Sequence, residues 1–418
     1  MSRPMVCVVG SGAREHALAV VMARDADVAV APGNPGMEFE HGMKVDDVDA
    51  DLYVIGPEQP LVDGLADRLR ARGKLVLGPG ADGARLEGSK AWMKEIAECA
   101  GVPTADYFVV TTLGHAEAAF HELLRGGYTG FAIKTDGLAA GKGVLVTHDF
   151  EEAMADVRAK LSGKAHGEAG KTLVIEGLLE NKGPGKAYEV SIFAICNGSD
   201  YVLLEGAQDY KALERGSSIN TGGMGAYSPT RDQYQLEAWA EVTVKPMLAA
   251  LKRRGIDYRG ILYAGLMIVD GEPYLLEYNI RMGDPEAQAV LPRVTSNLVT
   301  TFMQAAAGRP MNQVRFSSDY TIATVLASSG YPQAPRDGFM ISGIEAARKV
   351  PGTQIFFGGV DVDEQSRLIT KGGRVLTVVT RGGSPAEVKS RNNKAVALID
   401  FEGKYCRPDI GNELLNAA

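Results

Sequence analysis

The stretch MVCVVGSGAREHALAVVM, residues Met5–Met22, decides the fold of the first part of the chain. Its apolar run stops at Gly10, and a helical spacing of apolar residues begins at Arg14. Strands that alternate with helices and end in Gly/Pro turns are typical of a parallel α/β unit. The same pattern of an apolar run and a turn recurs three times, at VAVAPGN (28–34), LYVIGPE (52–58) and LVLGPG (75–80).

Length and composition limit what the chain can be. Its 418 residues are too many for one core, and they include 50 glycines and 45% hydrophobic residues. The net charge of −8 is spread without a basic block, which argues against nucleic acid as a partner. The apolar stretches are too short for a membrane helix, and the N-terminus lacks the pattern of a signal peptide. Four cysteines without metal or redox spacing favour reduced thiols, so we expect a soluble, cytoplasmic protein.

The segment GSGAREH, residues Gly10–His16, lies between a predicted strand and a predicted helix. Its glycines allow backbone amides to approach an anion at the helix N-terminus, with Arg14 as counter-charge. A dinucleotide site is excluded, because Glu15 replaces the third glycine and the next strand ends in APGN instead of an acid. Two interpretations of this segment remain open: a binding site for a sugar phosphate, and a tight turn without a ligand. A single histidine such as His16 is more typical of a residue on a helix face than of a catalytic residue.

A second segment, FAIKTDGLAAGKGVLVT, runs from Phe131 to Thr147. It is not a P-loop, because GK is followed by neither Ser/Thr nor a helix. A strand, a small-residue loop and a second strand can still fold over phosphates and surround them with backbone N–H groups. Lys134 and Lys142 would add positive charge for a triphosphate, which makes an ordinary Gly-rich hairpin the weaker interpretation.

A third segment, YLLEYNIRMGDPE, runs from Tyr274 to Glu286. Alternate side chains of a strand share a face, so Glu277, Asn279 and Arg281 are expected to point the same way. Oxygen ligands at this spacing suit Mg²⁺, and an arginine beside them can neutralise a phosphoryl group or an acyl phosphate. The alternative is a solvated edge strand with a surface ion pair. The loop INTGGMGAYSP (219–229) offers further backbone donors, although a plain surface loop would look the same.

The order of these segments predicts three domains. We expect an N-terminal α/β domain over residues 1–98, a middle domain over 99–310 and a C-terminal domain over 311–418. Gly-rich turns between short strands indicate a small antiparallel lid at about 111–193.

Taken together, the segments resemble the glycinamide ribonucleotide synthetase (phosphoribosylamine–glycine ligase) family of the ATP-grasp superfamily, over nearly the whole chain. The runs LAAGKGV, NTGGMGAYSP and RMGDPE are the most specific, and GSGAREHALA, ARLEGSKAWMK, QDYK and CRPDIG agree with them. The resemblance implies an N-terminal parallel α/β (Rossmann-like) domain, an ATP-grasp core with a mobile lid, and a small C-terminal α+β domain. The implied reaction joins glycine to 5-phosphoribosylamine through a glycyl phosphate, with ATP giving ADP and phosphate, in de novo purine biosynthesis.

The resemblance also implies roles for individual residues. Arg281 and Asp284 would be catalytic, and Glu277 and Asn279 would ligate Mg²⁺ or Mn²⁺. The implied ATP contacts, with the adenine hinge at Glu176 and Leu178–Leu179 and the ribose at Glu189, are Lys90, Lys134, Gly141, Lys142, Gly143, Glu176, Leu178, Leu179 and Glu189. The implied substrate contacts are Gly10, Gly12, Arg14, Asn34, Glu58, Asp209, Asn220, Gly222, Gly223, Met224 and Arg374. The expected partners are the two small substrates, without nucleic acid or membrane, in a monomer or homodimer.

The chain departs from the family pattern at several places. The hinge reads EGLL instead of EEFL and is followed by ENKGPGKA, an apparent insertion. Tyr210 replaces a histidine, ALERGSSI replaces an acid-rich stretch, FGGV (357–360) replaces HAGT, and a helix after APGN is missing. Two other functions stay open: another ATP-grasp ligase, such as a purine-pathway carboxylase, and a non-catalytic nucleotide-binding homologue. NTGGMGAYSP and RMGDPE argue against the first, and the intact metal strand argues against the second.

Overall fold

A parallel four-stranded sheet with the order β2-β1-β3-β4 forms the N-terminal part of the protein. The computed structural model describes residues 3–138, 143–163, 170–181, 187–217 and 219–416. The 3-10 turn Val45–Asp47 is the only helical element between β2 and β3, as the sequence predicted. The elements are β1 Met5–Gly10, α1 Ala13–Met22, β2 Asp27–Pro32, β3 Leu52–Ile55, α2 Glu58–Val62, α3 Leu65–Ala71, β4 Leu75–Leu77 and α4 Ala81–Gly88.

Helix α5 (Lys90–Ala100) leads from this sheet into a small antiparallel sheet with the order β5-β8-β6-β7. Ser89 caps the helix by accepting a hydrogen bond from the amide of Trp92, and Gly101 ends it in the left-handed conformation. Two amphipathic helices cover one face of the small sheet. Its elements are β5 Tyr107–Val110, α6 Leu113–Arg125, β6 Phe131–Thr135, β7 Val144–Thr147, α7 Phe150–Leu161 and β8 Leu173–Gly177.

A central antiparallel sheet with the order β10-β9-β13-β14 follows. Strand β9 pairs with β13 along its length, so residues 188–193 belong to this sheet and not to the lid expected at 111–193. The small sheet described above spans 107–177 instead. The central elements are β9 Tyr188–Asn197, β10 Tyr201–Leu203, α8 Leu236–Arg253, β13 Arg259–Val269, β14 Glu272–Asn279, α9 Glu286–Val290 and α10 Leu298–Ala306.

The C-terminal sheet, β11-β12-β15-β19-β16, draws two strands from the middle of the chain. Strands β11 (Gln208–Asp209) and β12 (Gly225–Ser228) precede the predicted boundary at residue 311, yet β12 pairs with β15. The loop between β11 and β12 is therefore held against the C-terminal part. The remaining elements are β15 Tyr320–Ala327, α11 Ile344–Arg348, β16 Thr353–Phe357, β17 Val360–Val362, β18 Leu368–Thr370, β19 Arg374–Gly382, α12 Pro385–Leu398 and α13 Asn412–Asn416.

The N-terminal and central sheets share their apolar cores. Tyr53 and Leu61 of the N-terminal part lie in the same buried cluster as Trp239 and Tyr278. Burial of such large side chains stabilises a fold by roughly 1.5–3 kcal/mol each, so this shared core fixes the two sheets against each other. Within the described residues, no helix is long and apolar enough to cross a membrane.

Candidate active site

A cleft of about 700 Å³ lies where the N-terminal part, the small sheet, the central sheet and the C-terminal part meet. Most of the predicted site residues line it. They are Arg14, Glu58, Lys90, Lys134, Gly143, Glu176, Leu178, Leu179, Glu189, Asp209, Asn220, Gly222, Glu277, Asn279, Arg281, Asp284 and Arg374. Gly10, Gly12, Asn34, Gly223 and Met224 do not line it, and Gly141 and Lys142 lie outside the described residues.

The start of helix α5 places Lys90 beside the Gly-rich segment. Asp136, just after β6, accepts hydrogen bonds from the Ser89 hydroxyl (3.2 Å) and from the Ala91 amide (3.1 Å). Lys90 Nζ donates to the carbonyl oxygen of Gly137 at 3.2 Å. The start of α5 and its lysine are thus joined to Asp136 and Gly137, with the Asp136 carboxylate bound at the helix N-terminus.

Lys134 reaches the cleft wall from β6 and is held by one ion pair and one hydrogen bond. Its Nζ lies 2.6 Å from Glu176 Oε1 and donates to the carbonyl oxygen of Leu276 at 3.2 Å. Glu176 was expected to meet adenine, but its carboxylate is buried and bound by Lys134 and by Lys94. Sequence reasoning missed Lys94. It could have been found as a lysine on the apolar face of an amphipathic helix.

The contacts of Gly177, after Glu176 in the hinge, account for the sequence EGLL in place of EEFL. A Cβ on Gly177 would lie 2.3 Å from the ring of Tyr128, so a larger residue does not fit there. The Tyr128 hydroxyl accepts a hydrogen bond from the Asp106 amide, which fixes the ring. Leu178 and Leu179 line the cleft as expected, beside the apolar side chains of Met93 and Met267.

Glu277 and Asn279 lie two residues apart near the end of β14, at the middle of the cleft. Burial would raise the pKa of Glu277, but Lys211, Lys90, Lys134 and Arg281 outweigh it and lower that pKa to about 2. A permanently ionised carboxylate and an amide oxygen are ligands that a hard divalent cation accepts. Among the described residues, no group of three His, Cys, Asp or Glu side chains forms a metal cage. The pair therefore suits an ion that takes its remaining ligands from water and phosphate.

Lys211 crosses the cleft floor between acids. Its Nζ lies 2.6 Å from Glu189 Oε2 and 3.9 Å from Glu277 Oε1. Burial would lower the pKa of Lys211, but Glu189 and Asp209 raise it well above its usual range. Burial raises the pKa of Asp209 well above its ordinary value, and Glu286 adds to this against the opposing charge of Lys211. Lys211 is a further residue of the cleft, and the run QDYK could have identified it from the sequence.

Arg281 follows the end of β14 and is clamped from several sides. Its guanidinium donates to Glu58 Oε2 at 3.2 Å, to Glu87 Oε1 at 2.6 Å and to Asn279 Oδ1 at 3.2 Å. Burial would lower the pKa of Arg281, but Glu87 and Glu58 outweigh it and raise that pKa. The expected grouping of Glu277, Asn279 and Arg281 is present, although the strand ends at Asn279.

Asp284 and Arg374 form a second charged pair at the C-terminal side of the cleft. Arg374 Nη2 lies 3.2 Å from Asp284 Oδ2, and Nη1 donates to the carbonyl oxygen of Gly222 at 2.6 Å. Burial would raise the pKa of Asp284, but Arg374 and Arg14 lower it, so the carboxylate stays ionised. A Cβ on Gly222 would lie 3.0 Å from this guanidinium. Gly223 and Met224 support the loop from behind, with Met224 fully buried.

The Gly10–Arg14 turn binds the carboxylate of Glu15, an anion of the protein itself. The Gly12 amide donates to Glu15 Oε2 at 2.6 Å, and Arg14 Nε donates to Glu15 Oε1 at 2.6 Å. The Gly12 amide is thereby engaged, and Arg14 is the part of the turn that reaches the cleft. Contact of Gly10 and Gly12 with a sugar phosphate stays a prediction.

Asn34 and His16 link the N-terminal sheet to the segment FGGV. Asn34 Nδ2 donates to the carbonyl oxygens of Ser11 (2.8 Å) and Phe357 (3.0 Å), which accounts for its absence from the cleft wall. The Phe357 amide donates to His16 Nδ1 at 3.0 Å, and the two rings stack with centroids 5.7 Å apart. His16 Nε2 therefore carries the proton and donates to Glu38 Oε2 at 2.8 Å. Phe357, the first residue of FGGV, thus stabilises the contact between the N-terminal and C-terminal parts by stacking on His16.

Comparison with known proteins places this geometry in a family. Three consecutive domain models of phosphoribosylglycinamide synthetase match the chain: the N domain over residues 5–87, the ATP-grasp (A) domain over 88–287 and the C domain over 321–413. The chain belongs to the phosphoribosylglycinamide synthetase family. The expected fold class, a parallel N-terminal α/β domain, an ATP-grasp domain and a C-terminal domain, is confirmed. Our own boundaries of 98 and 310 remain predictions.

Members of the phosphoribosylglycinamide synthetase family align along the entire chain. A phosphoribosylamine–glycine ligase of Streptomyces coelicolor is 39% identical over 435 residues, which cover 99% of this chain and 100% of that protein. The crystal structure of phosphoribosylamine–glycine ligase from Thermotoga maritima superposes with a TM-score of 0.83 at 31% identity, covering 97% of this chain and 99% of that one. A biotin carboxylase from Campylobacter jejuni, at 11% identity and a TM-score of 0.69 over 96% of this chain and 93% of that one, shares the fold alone.

Proposed function

We propose that this protein uses ATP to join glycine to 5-phosphoribosylamine, releasing ADP and phosphate and forming glycinamide ribonucleotide for purine biosynthesis. The observation that carries the proposal is one cleft that brings together three lysines, a carboxylate–amide pair and three arginines. The family relationship and the 39% identity with a phosphoribosylamine–glycine ligase support the choice of substrates.

The nucleotide occupies the end of the cleft between α5 and the small sheet. Lys90 and Lys134 face its phosphates, Gly143 lies beside them, and the apolar walls around Leu178, Leu179 and Met267 receive adenine. Gly141 and Lys142, expected at the phosphates, lie outside the described residues. Glu189 serves the ribose hydroxyls. Glu176 acts by holding Lys134, because its carboxylate is buried and already paired.

Glu277 and Asn279 are suited to hold a divalent cation, Mg²⁺ or Mn²⁺. The fit rests on the ionised state of Glu277, whose pKa of about 2 keeps it anionic at any physiological pH. The cation would supply charge neutralisation for the phosphates. Asn279 Oδ1 accepts a hydrogen bond from Arg281 at 3.2 Å, and its second lone pair would be available to the cation.

Arg281 and Asp284 act at the point where the carbon–nitrogen bond forms. A carboxylate resists attack by an amine, so glycine is first phosphorylated, and phosphate then leaves as the amine displaces it. Arg281, held by Glu58 and Glu87, stabilises the negative charge of the acyl phosphate. Asp284, ionised beside Arg374, accepts a hydrogen bond from the incoming amine. Phosphoryl transfer of this kind needs positioning and charge more than a nucleophilic side chain.

The sugar end of the cleft is assigned to Arg14, Glu58, Asp209 and Arg374, together with the glycine-rich loop at Asn220–Gly222. We propose that the protein acts on small molecules in a reducing cytoplasm. Cys7, Cys99, Cys196 and Cys406 are all free, which supports this setting.

The proposal is tested by measuring ADP release with 5-phosphoribosylamine while glycine, bicarbonate and other small acids are offered in turn. Among the acids offered with 5-phosphoribosylamine, only glycine should support turnover, and the products should be ADP and phosphate. No ADP should be released when either glycine or 5-phosphoribosylamine is left out. Turnover with bicarbonate would identify a carboxylase, and AMP with pyrophosphate would identify an adenylating enzyme. Nucleotide binding without turnover on any acid would identify a non-catalytic homologue.

A further inference from the structure

A chain of three charged side chains lies beneath the nucleotide end of the cleft. Lys94 Nζ is 2.8 Å from Glu176 Oε2, and Lys134 Nζ is 2.6 Å from Glu176 Oε1. Glu176 and Lys134 line the cleft, whereas Lys94 is fully buried and does not. We refer to Lys94, Glu176 and Lys134 as the buried triad.

Lys94 connects three parts of the fold. It projects from α5, pairs with Glu176 at the end of β8 in the small sheet, and donates to Thr104 Oγ1 at 2.5 Å. Thr104 in turn donates to the carbonyl oxygen of Leu275 in β14 at 2.7 Å. The small sheet, the helix that carries Lys90 and the strand that carries Glu277 are therefore joined at one ammonium group.

Fold stability alone does not require charge at this position. Taking an ammonium group out of water is costly, and apolar replacements of buried ion pairs are often as stable. The buried triad contains two cations and one anion, so it presents a surplus positive charge under the proposed triphosphate site. Lys134 Nζ lies 2.6 Å from Glu176 Oε1 and donates one N–H to the Leu276 carbonyl. An ammonium group has three N–H donors, so at least one remains for a ligand even if the ion pair occupies another.

We infer that Lys94 is a positioning residue for the nucleotide: by binding one oxygen of Glu176 it fixes Lys134 at the cleft wall with a donor free for phosphate. This inference rests on the proposed ATP-dependent function. Without Lys94, both oxygens of Glu176 turn to Lys134, and the net charge beneath the phosphates falls by one. Nucleotide affinity then drops while the glycine and amine ends of the cleft are untouched.

The protonation of Lys94 supplies a signature that a purely structural residue would lack. Burial lowers the pKa of Lys94 to about 8, against the opposing charge of Glu176. The charged and titratable groups that face it are Glu176, Lys134 and the ring of Tyr107, whose centroid lies 5.6 Å from Nζ. The cation is present below that pH and lost above it, so nucleotide binding should weaken as the solution becomes alkaline.

The test compares Lys94→Met with a matched control, Lys160→Met. Lys160 is also a buried lysine with a carboxylate partner, Asp156 at 2.6 Å, but it lies on α7 and does not line the cleft. Its Nζ donates to the carbonyl oxygen of Ile133 at 3.0 Å, so this control also reports the effect of disturbing β6 itself. Equilibrium binding of magnesium-ADP is measured by calorimetry at about pH 7 on all three proteins. We expect Lys94→Met to bind about tenfold more weakly, as for one lost charge-assisted contact, and Lys160→Met to match the wild type.

The pH series separates the possible outcomes. From about pH 7 to about pH 9, binding should weaken in the wild type and in Lys160→Met and stay flat in Lys94→Met. If the wild type binds the nucleotide and Lys94→Met binds it equally well, the inference fails and the proposed function stands. If the wild type binds no nucleotide, both fail. Should Lys94→Met not fold, wild-type affinity that is constant across the pH series overturns the inference.

Discussion

Replacing Glu277 by Gln tests the centre of the cleft most directly. The substitution keeps the size and the hydrogen-bonding capacity of the side chain and removes its charge. That charge attracts Lys211, Lys90, Lys134 and Arg281, which together lower the pKa of Glu277 to about 2 despite its burial. Gln therefore removes the anionic partner of four cations as well as the charge of a proposed metal ligand.

The size of the effect on stability follows from the same pKa. A fall from the ordinary 4.5 to about 2 is worth up to about 3 kcal/mol at about 1.4 kcal/mol per pH unit. Because 33% of the side chain is exposed to solvent in the cleft, screening reduces this contribution to about 1–2 kcal/mol. A carboxylate with a lowered pKa stabilises the fold above its unfolded pKa, and this stability is lost as the pH falls towards 2.

Two assays on the same proteins measure the consequences. Urea unfolding near neutral pH should show Glu277→Gln less stable than the wild type by about 1–2 kcal/mol, with the difference shrinking as the pH falls below about 4. Turnover should fall by more than about a hundredfold, since even an outer partner of a metal ligand is worth about 10- to 100-fold. Glu272→Gln, at the exposed start of the same strand, is the matched control and should behave as wild type.

Near-normal turnover of Glu277→Gln with an unchanged Mg²⁺ requirement would place the metal elsewhere. Equal stability of the two proteins near neutral pH would show that the surrounding cations do not depend on this carboxylate. Either result would refute the electrostatic reasoning applied to the middle of the cleft.

Two other substitutions test separate parts of the site. Arg14→Ala should raise KM for 5-phosphoribosylamine roughly ten- to a hundredfold through the loss of one charge-assisted contact, and leave KM for ATP unchanged. A rise confined to ATP would contradict our division of the cleft. Gly177→Ala places a Cβ 2.3 Å from the Tyr128 ring and should lower the free energy of unfolding by about 1–3 kcal/mol, an effect that Tyr128→Ala in the same chain should partly relieve. Full stability of Gly177→Ala on urea unfolding would show that the ring moves aside freely.

Local patterns predicted the elements that carry the site. The apolar run that ends at Gly10 is β1, and the helical spacing that follows is α1. The alternation of Glu277 and Asn279 is a property of one strand, so it could be read without knowing what the strand packs against. Features whose cause lies within a few residues of chain were therefore accessible to sequence reasoning.

Contacts between distant residues were not accessible. The family resemblance implied a substrate contact for Asn34, yet its side chain is bound to the carbonyl of Phe357, 323 residues away. Glu176 lies in a hinge motif, but its neighbours Lys94 and Lys134 are set by how α5 and β6 converge. Resemblance to a family supplied positions for these residues without supplying their partners, which depend on packing.

The crossing of β11 and β12 into the C-terminal sheet has a consequence for synthesis. Strand β12 pairs with β15, so the loop Asn220–Met224 gains its contact with the C-terminal sheet only after β15 has been made. Arg374, which donates to Gly222, is made later still. A ribosome must therefore synthesise most of the polypeptide before the C-terminal wall of the cleft is complete. Translation products that stop before β15 would keep β12 without this partner, and such edges promote aggregation.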